Sequence, residues 1–133
     1  RAKRVGALLS EPATSYLVVT SPESVAMAEA GYLVSELRQR GHQLEGVLVN
    51  RVVPSHLARG AADRASKLAA SQDAGRQALA AAETEIAAIA DRHAAALQQV
   101  TSWEVEVLIS EARSGDITDT ESLHSLGEAI HRG

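Results

Sequence analysis

Tyr16-Leu17-Val18-Val19-Thr20-Ser21-Pro22-Glu23 opens, and Leu44 to Val49 followed by Asn50-Arg51-Val52-Val53-Pro54 closes, the stretch that decides the fold. Tyr16 to Val19 is a short, continuous apolar run rich in β-branched residues. Continuous rather than alternating hydrophobicity predicts a strand covered on both faces, as in a parallel sheet. A helix start follows at once. Thr20 or Ser21 is placed to cap it, Pro22 suits a first turn, and Glu23 would complete a capping box with Thr20. Ala26, Ala30, Leu33 and Leu37 recur at helical spacing with Val34 beside them, Arg38 and Arg40 suit the last turn, and Gly41 stops a helix of about 19 residues. Leu44 to Val49 is the second covered strand. Strand, helix and strand of these lengths predict a crossover joining two parallel strands.

Outward from this unit, residues 2–10 read as the end of a short helix carrying Val5, Leu8 and Leu9, broken at Glu11 by Pro12. On the other side, Leu57 to Val100 is Ala-rich and free of Pro. Leu57, Leu68 and Leu79 are eleven apart, and Ile86, Ile89, Leu97 and Val100 continue a slowly drifting stripe. This predicts one long helix, or two with a break near Gly75. Its Ala-lined face is either a packing face within the fold or one wall of a groove for an apolar helix. Trp103 to Ile109 alternates and then turns apolar, which predicts a third strand. Ser114-Gly115-Asp116 reads as a turn. Asp119 or Thr120 caps a last helix with Leu123, Leu126 and Ile130 on one face.

Composition narrows the function classes. The 133 residues suit a single domain, 1–133, with 57–100 as a helical subdomain. Apolar residues make up 45%, but Trp103, Tyr16 and Tyr32 are the only aromatics, so the core must come from Leu, Val, Ile and Ala. No Cys is present, which removes disulfides and thiolate metal sites. A net charge of −4 with both signs interspersed argues against a nucleic-acid footprint or a polybasic membrane patch, and no run approaches a membrane span. The expectation is a cytoplasmic protein. The chain opens with Arg1 rather than Met, which reads as an excised or processed fragment.

The residues that would carry phosphate chemistry are missing. A P-loop needs Gly-rich backbone amides, a Lys and a hydroxyl, yet no Gly here precedes a Lys. The first strand runs into Thr20-Ser21-Pro22 with no Gly-rich turn, so the dinucleotide fingerprint is absent too. Asn50 stands out because it ends a strand, and ligands of open parallel sheets bind beyond the carboxyl ends of strands. Its amide offers an acceptor and donors that match the edge of adenine. An Asn that turns the chain at a strand end is the plainer explanation. His42, His56, His93, His124 and His131 show no metal-ligand spacing, and His93 reads as a packed or rim residue. Glu104 and Glu106 alternate with Val105 and Val107, more a solvated strand face than an acid–base pair.

Taken together, Tyr16 to Ser24, the helix Glu29 to Gly41, and Gly46 to Pro54 resemble the C-terminal half of the ArsA-type anion-transporting ATPases, which include arsenical pump-driving ATPases and tail-anchored-protein-targeting ATPases. The resemblance is close over 1–54, loose over 57–100 and partial over 103–131. It implies an α/β fold: a parallel-sheet fragment of a P-loop NTPase with a long Ala-rich helical insertion. It implies that Asn50 contacts adenine, with Arg51 and Pro54 beside the cofactor, and that the chain supplies the adenine side of an ATP site while being inactive in hydrolysis alone. ATP with Mg would then require the N-terminal P-loop half as partner. A homo-oligomer and a hydrophobic helical client are the other implied partners. Zinc-binding and arsenite-binding Cys are absent, and Glu106-Val107-Leu108-Ile109 stands where family members carry Pro-Leu-Leu at the adenine pocket. The competing expectation is a stand-alone helical interaction or dimerisation module without a nucleotide.

Overall fold

The computed structural model describes residues 2–9, 11 and 13–133; the break expected at Pro12 lies outside the described residues. The elements are α1 (Ala2–Leu9), β1 (Ser15–Thr20), α2 (Ser24–Gln39), β2 (Gln43–Val52), α3 (Ser55–Ala58), α4 (Ala61–Ala69), α5 (Ala74–Thr101), β3 (Val107–Glu111), α6 (Thr120–Ala129) and β4 (His131–Arg132). The sheet order is β1-β2-β3-β4. β1 with β2 and β2 with β3 are parallel, as expected for crossover connections, whereas β4 returns antiparallel along β3. The fold is therefore α/β with a mostly parallel sheet and a long helix.

Register fixes which side chains share a face. Val18 pairs with Val47 and Val47 with Val107, while Thr20 pairs with Val49 and Val49 with Ile109. Met27, Ala30, Val34 and Leu37 of α2 recur at spacings of three and four, and with Ala96 and Val100 of α5 they close over that face. Val47, Val49 and Val100 are fully buried, each worth about 1.5–3 kcal/mol of transfer free energy.

The expectation of a sheet covered on both faces fails. Leu17 and Val19 point to the opposite face and remain 48% and 58% exposed, and their neighbours Leu48 and Leu108 are only half-buried. α2 and α5 both pack on the Val47–Val49 side of the sheet, and α6 contacts β3. Among the described residues, β1 pairs with β2 alone and forms an open edge. The opposite edge, beside β3, is taken by β4.

Local chemistry accounts for the other departures. α2 has 16 residues and begins at Ser24, with Glu23 as N-cap and no side-chain cap, so the Thr20–Glu23 box does not form. Thr20 is held in the ladder opposite Val49, and its hydroxyl donates to the Ser21 carbonyl. The C-terminus of α2 ends as expected. Gly41 adopts φ 72°, its N–H donates to Arg38 and that of His42 donates to Leu37, closing a left-handed stop. The Ala-rich segment breaks at Ser71-Gln72-Asp73, and Gly75 lies inside α5. Asp73 explains this by accepting the Arg76 N–H at 2.9 Å as N-cap of α5.

The third strand starts at Val107 rather than Trp103. Trp103 packs instead on α2 beside Gly31, where an added Cβ would lie 3.1 Å from the indole. Glu104 turns at φ 54°, and its carbonyl accepts from Arg38 at 2.9 Å. Glu104 and Glu106 consequently do not alternate along a strand. α6 carries the capping box at Asp119 and Ser122, but Leu123 is exposed.

Candidate functional site

Asn50 lies inside β2, two residues before its carboxyl end rather than beyond the strand as expected, cross-strand neighbour to Ser110 and one residue beyond the Thr20–Val49 pair. A β-bulge shapes this point. Register shifts between Asn50 and Val52, leaving Arg51 unpaired at φ 65°, a left-handed conformation unusual for a residue with a Cβ. The Asn50 Oδ1 accepts the Arg51 N–H at 2.9 Å, which stabilises the turn and orients the amide so that its Nδ2 donors remain for another group. The chain-turning role of Asn50 is thus present in the geometry, and it leaves half of the amide free.

Asn50 lines two concavities. One, of about 410 Å³, wraps the open β1 edge and is bounded by Val19, Thr20, Ser21, Ala26 and Leu33. The other, of about 400 Å³, lies over the ends of β2 and β3 between Arg51, Ser110, Arg113, Asp116 and Leu126. Both fall in the size range of small-molecule sites. Arg51 joins Asn50 in the second. Pro54 does not; it borders a neighbouring hollow with His56, Leu57, Ala112 and Arg113.

The wall beyond Asn50 is built by contacts that single-residue patterns do not announce. Val52 accepts the Ala112 N–H at 2.7 Å, which carries the β2–β3 ladder past the bulge. Glu111, at the end of β3, accepts the Ser55 N–H at 2.9 Å and so pins the start of α3. The Ser55 backbone N–H holds the Glu111 carboxyl below the usual carboxylate range, ahead of the opposing effect of burial. Arg113 donates to the Ser125 hydroxyl at 3.1 Å, tying the loop after β3 to α6. The Glu111 contact was missed because nothing in the spacing of residues 55 and 111 pairs them.

The helical segment builds its own clamp. The Arg64 guanidinium donates through Nε and Nη2 to both Glu83 oxygens at 2.8 Å, and also to the carbonyls of Leu57 and Arg59. That charge-assisted hydrogen bond raises Arg64 and lowers Glu83 relative to their ordinary values. Ala61, Ala65 and Ala80 are buried where α4 lies on α5. The first half of the Ala-lined stripe is therefore a packing face closed by α4, and the second half, at Ala96 and Val100, faces the sheet.

Chemically, Asn50 borders two separate hollows: a more apolar one along β1 that also holds Glu29, and a more polar one in which Arg51 and Arg113 stand among Glu111 and Asp116. The site offers no phosphate cradle: the turn from β1 into α2 is Thr20-Ser21-Pro22-Glu23, and Pro22 is buried and has no N–H to give. Among the described residues no group of three or more His, Asp or Glu is placed to hold a metal ion. No helix among them is long and apolar enough to cross a membrane. Compared with models of known protein families and with curated proteins, the chain matches none.

Proposed function

We propose that the chain is the C-terminal portion of an ArsA-like ATPase, supplying the adenine side of its ATP site and a helical arm, and inactive in hydrolysis alone. One observation carries this reading. Three parallel strands carry Asn50 near their carboxyl ends, while the β1 edge and the Leu17–Val19 face stand open as they would if further strands and helices continued the sheet. In this reading the N-terminal P-loop half pairs beside β1, covers that face and holds the phosphates and Mg. Asn50, with Arg51 and Arg113 around it, contacts the base. The donor and acceptor of the Asn50 amide match the edge of a purine, and the sequence carries no P-loop, which supports this division of labour.

The alternative of a stand-alone helical module is weaker on this geometry, because α4 already occupies the first half of the Ala-lined face. Calorimetric titration with ATP tests the proposal on the chain alone and after adding the P-loop half. The expected result is no turnover and no measurable binding alone, with binding restored by the added half and weakened by Asn50→Ala. Hydrolysis by the isolated chain would overturn it, as would nucleotide binding by the two halves together that is indifferent to Asn50→Ala.

A further inference from the structure

His93 is 8% exposed on α5, and its ring reaches out of the helix to the backbone that follows the Asn50 bulge. Nδ1 accepts the Val53 N–H at 2.9 Å. This bond fixes the tautomer: Nδ1 is unprotonated and Nε2 carries the hydrogen. Nε2 faces Glu23 at the start of α2, with 4.0 Å to its Oε1. The ring therefore bridges three elements that meet behind the site: α5, the end of β2 and the entry to α2.

We propose that His93 is a proton-gated latch, holding the Asn50–Val53 backbone against α5 while its imidazole is neutral and releasing it when Nδ1 takes a proton. An imidazolium has two donors and no acceptor, so it cannot receive the Val53 N–H. Protonation replaces a hydrogen bond with two N–H groups pointing at each other. The new charge has one receiver, the Glu23 carboxylate, and closing the 4.0 Å gap draws the ring away from Val53. Val53 is two residues beyond Arg51, which Asn50 holds in the bulge, and only Val52 lies between, so release removes one of the restraints on the turn that aims the Asn50 amide. His93 is thus a positioning residue, acting on the site through Val53.

The charged groups facing the ring are Glu23 from the entry to α2 and Arg92 from α5 itself; the β2–α3 connection presents the Val53 N–H. Burial lowers the imidazole below its ordinary value of 6.5, Glu23 opposes this and Arg92 adds to it. Depression sets the direction. The latch is closed above 6.5 and opens as pH falls through the lower folded-state value. The latch acts on the backbone whatever ligand Asn50 meets, so it stands apart from the nucleotide reading and is tested without ligand.

The experiment is a two-dimensional NMR titration of the full chain from pH 8 to 5, following the His93 ring and the Val53, Arg51 and Asn50 amides. The Val53 amide proton is expected to leave its hydrogen-bonded position with the same midpoint as the ring, with Arg51 and the Asn50 side chain following. His93→Asn keeps an acceptor near Nδ1 without titrating and is expected to flatten the profile. Glu23→Gln leaves the Val53 bond intact and is expected to lower the midpoint by removing the receiving charge. The proposal is overturned if the ring titrates while Val53 and Arg51 stay still, or if the ring stays neutral until the protein unfolds. It is equally overturned if Glu23→Gln leaves the midpoint unmoved.

Discussion

The uncovered face of the sheet makes a quantitative prediction about association. Leu17 and Val19 are 48% and 58% exposed, although each alternates with a residue, Val18 or Thr20, that is at least nine-tenths buried. Full burial of a Leu or Val side chain contributes about 1.5–3 kcal/mol, so the exposed half of each still holds roughly 1 kcal/mol. In the chain on its own, an apolar face beside an open strand edge is expected to be satisfied by a second copy. A two-fold interface uses each residue twice, which places about 4 kcal/mol in these four side chains. The double substitution Leu17→Gln/Val19→Thr is then expected to weaken the dimer roughly a thousandfold.

Sedimentation equilibrium over a wide concentration range measures that shift, and urea unfolding at low concentration supplies the control. The double variant is expected to keep the monomer's stability within about 0.5 kcal/mol, because exposed positions contribute little to the fold. Val18→Thr, one residue away but 5% exposed, is expected to lose about 1–3 kcal/mol by burying a hydroxyl among Met27, Val47 and Val107. A wild-type chain that stays monomeric throughout would refute the reasoning. So would a double variant that destabilises the monomer as much as Val18→Thr does, since the face would then be covered.

Other positions give sharper local tests. Gly46→Ala would place a Cβ 2.6 Å from the Glu106 carbonyl that accepts the Val47 N–H, so a loss of about 1–3 kcal/mol in urea unfolding is expected. Glu104→Gly relieves a left-handed residue at φ 54° while keeping the carbonyl that Arg38 contacts, and should gain about 0.5 kcal/mol once glycine's larger unfolded-state entropy is subtracted. Met27→Ala empties a fully buried site under α2 and should cost about 2–5 kcal/mol by the same measurement. The Glu111 carboxyl is lowered in the folded chain, so its contribution is present above its ordinary value of 4.5 and disappears as pH falls through the folded-state value. Stability measured between pH 6 and 3 should show this limb, and Glu111→Gln, which keeps an acceptor for Ser55, should flatten it.

Much of the architecture was legible because it rests on local rules. A β-branched run, a helical stripe closed by Gly41, and a second run ending at Asn50 specify a parallel pair, and β1 and β2 form one. What failed was the inference from continuous hydrophobicity to two-sided cover. Val19 and Leu48 are apolar on a face that the described residues leave partly open, and a run of apolar residues does not state whether both faces are covered. The late start of β3 has a tertiary cause: Trp103 is drawn onto Gly31, and the chain must turn at Glu104 before joining β2. β4 was invisible because two polar residues, His131 and Arg132, carry no period; they pair with Leu108 and Ile109, and distant contacts hold them there, Arg132 on Glu106 at 2.9 Å and the Gly133 N–H on the Val107 carbonyl.

The site was less legible than the fold, for a reason that Asn50 makes plain. Val47-Leu48-Val49-Asn50 reads as a strand ending at Asn50, yet β2 runs on to Val52 past a bulge, and the orientation of Asn50 depends on Arg51 adopting a conformation that the sequence Asn-Arg does not specify. That conformation persists only if the surrounding structure over-determines it. Three contacts do so: the Asn50 amide on Arg51, Val52 on Ala112, and Val53 on His93. Two of these reach across forty or more residues, so no local pattern contains them. His93 reads from spacing alone as a packed residue, which it is, and its packing is what gives it a role. A buried imidazole with one nitrogen committed to backbone becomes a restraint on the site as soon as the backbone it holds is the one that aims Asn50.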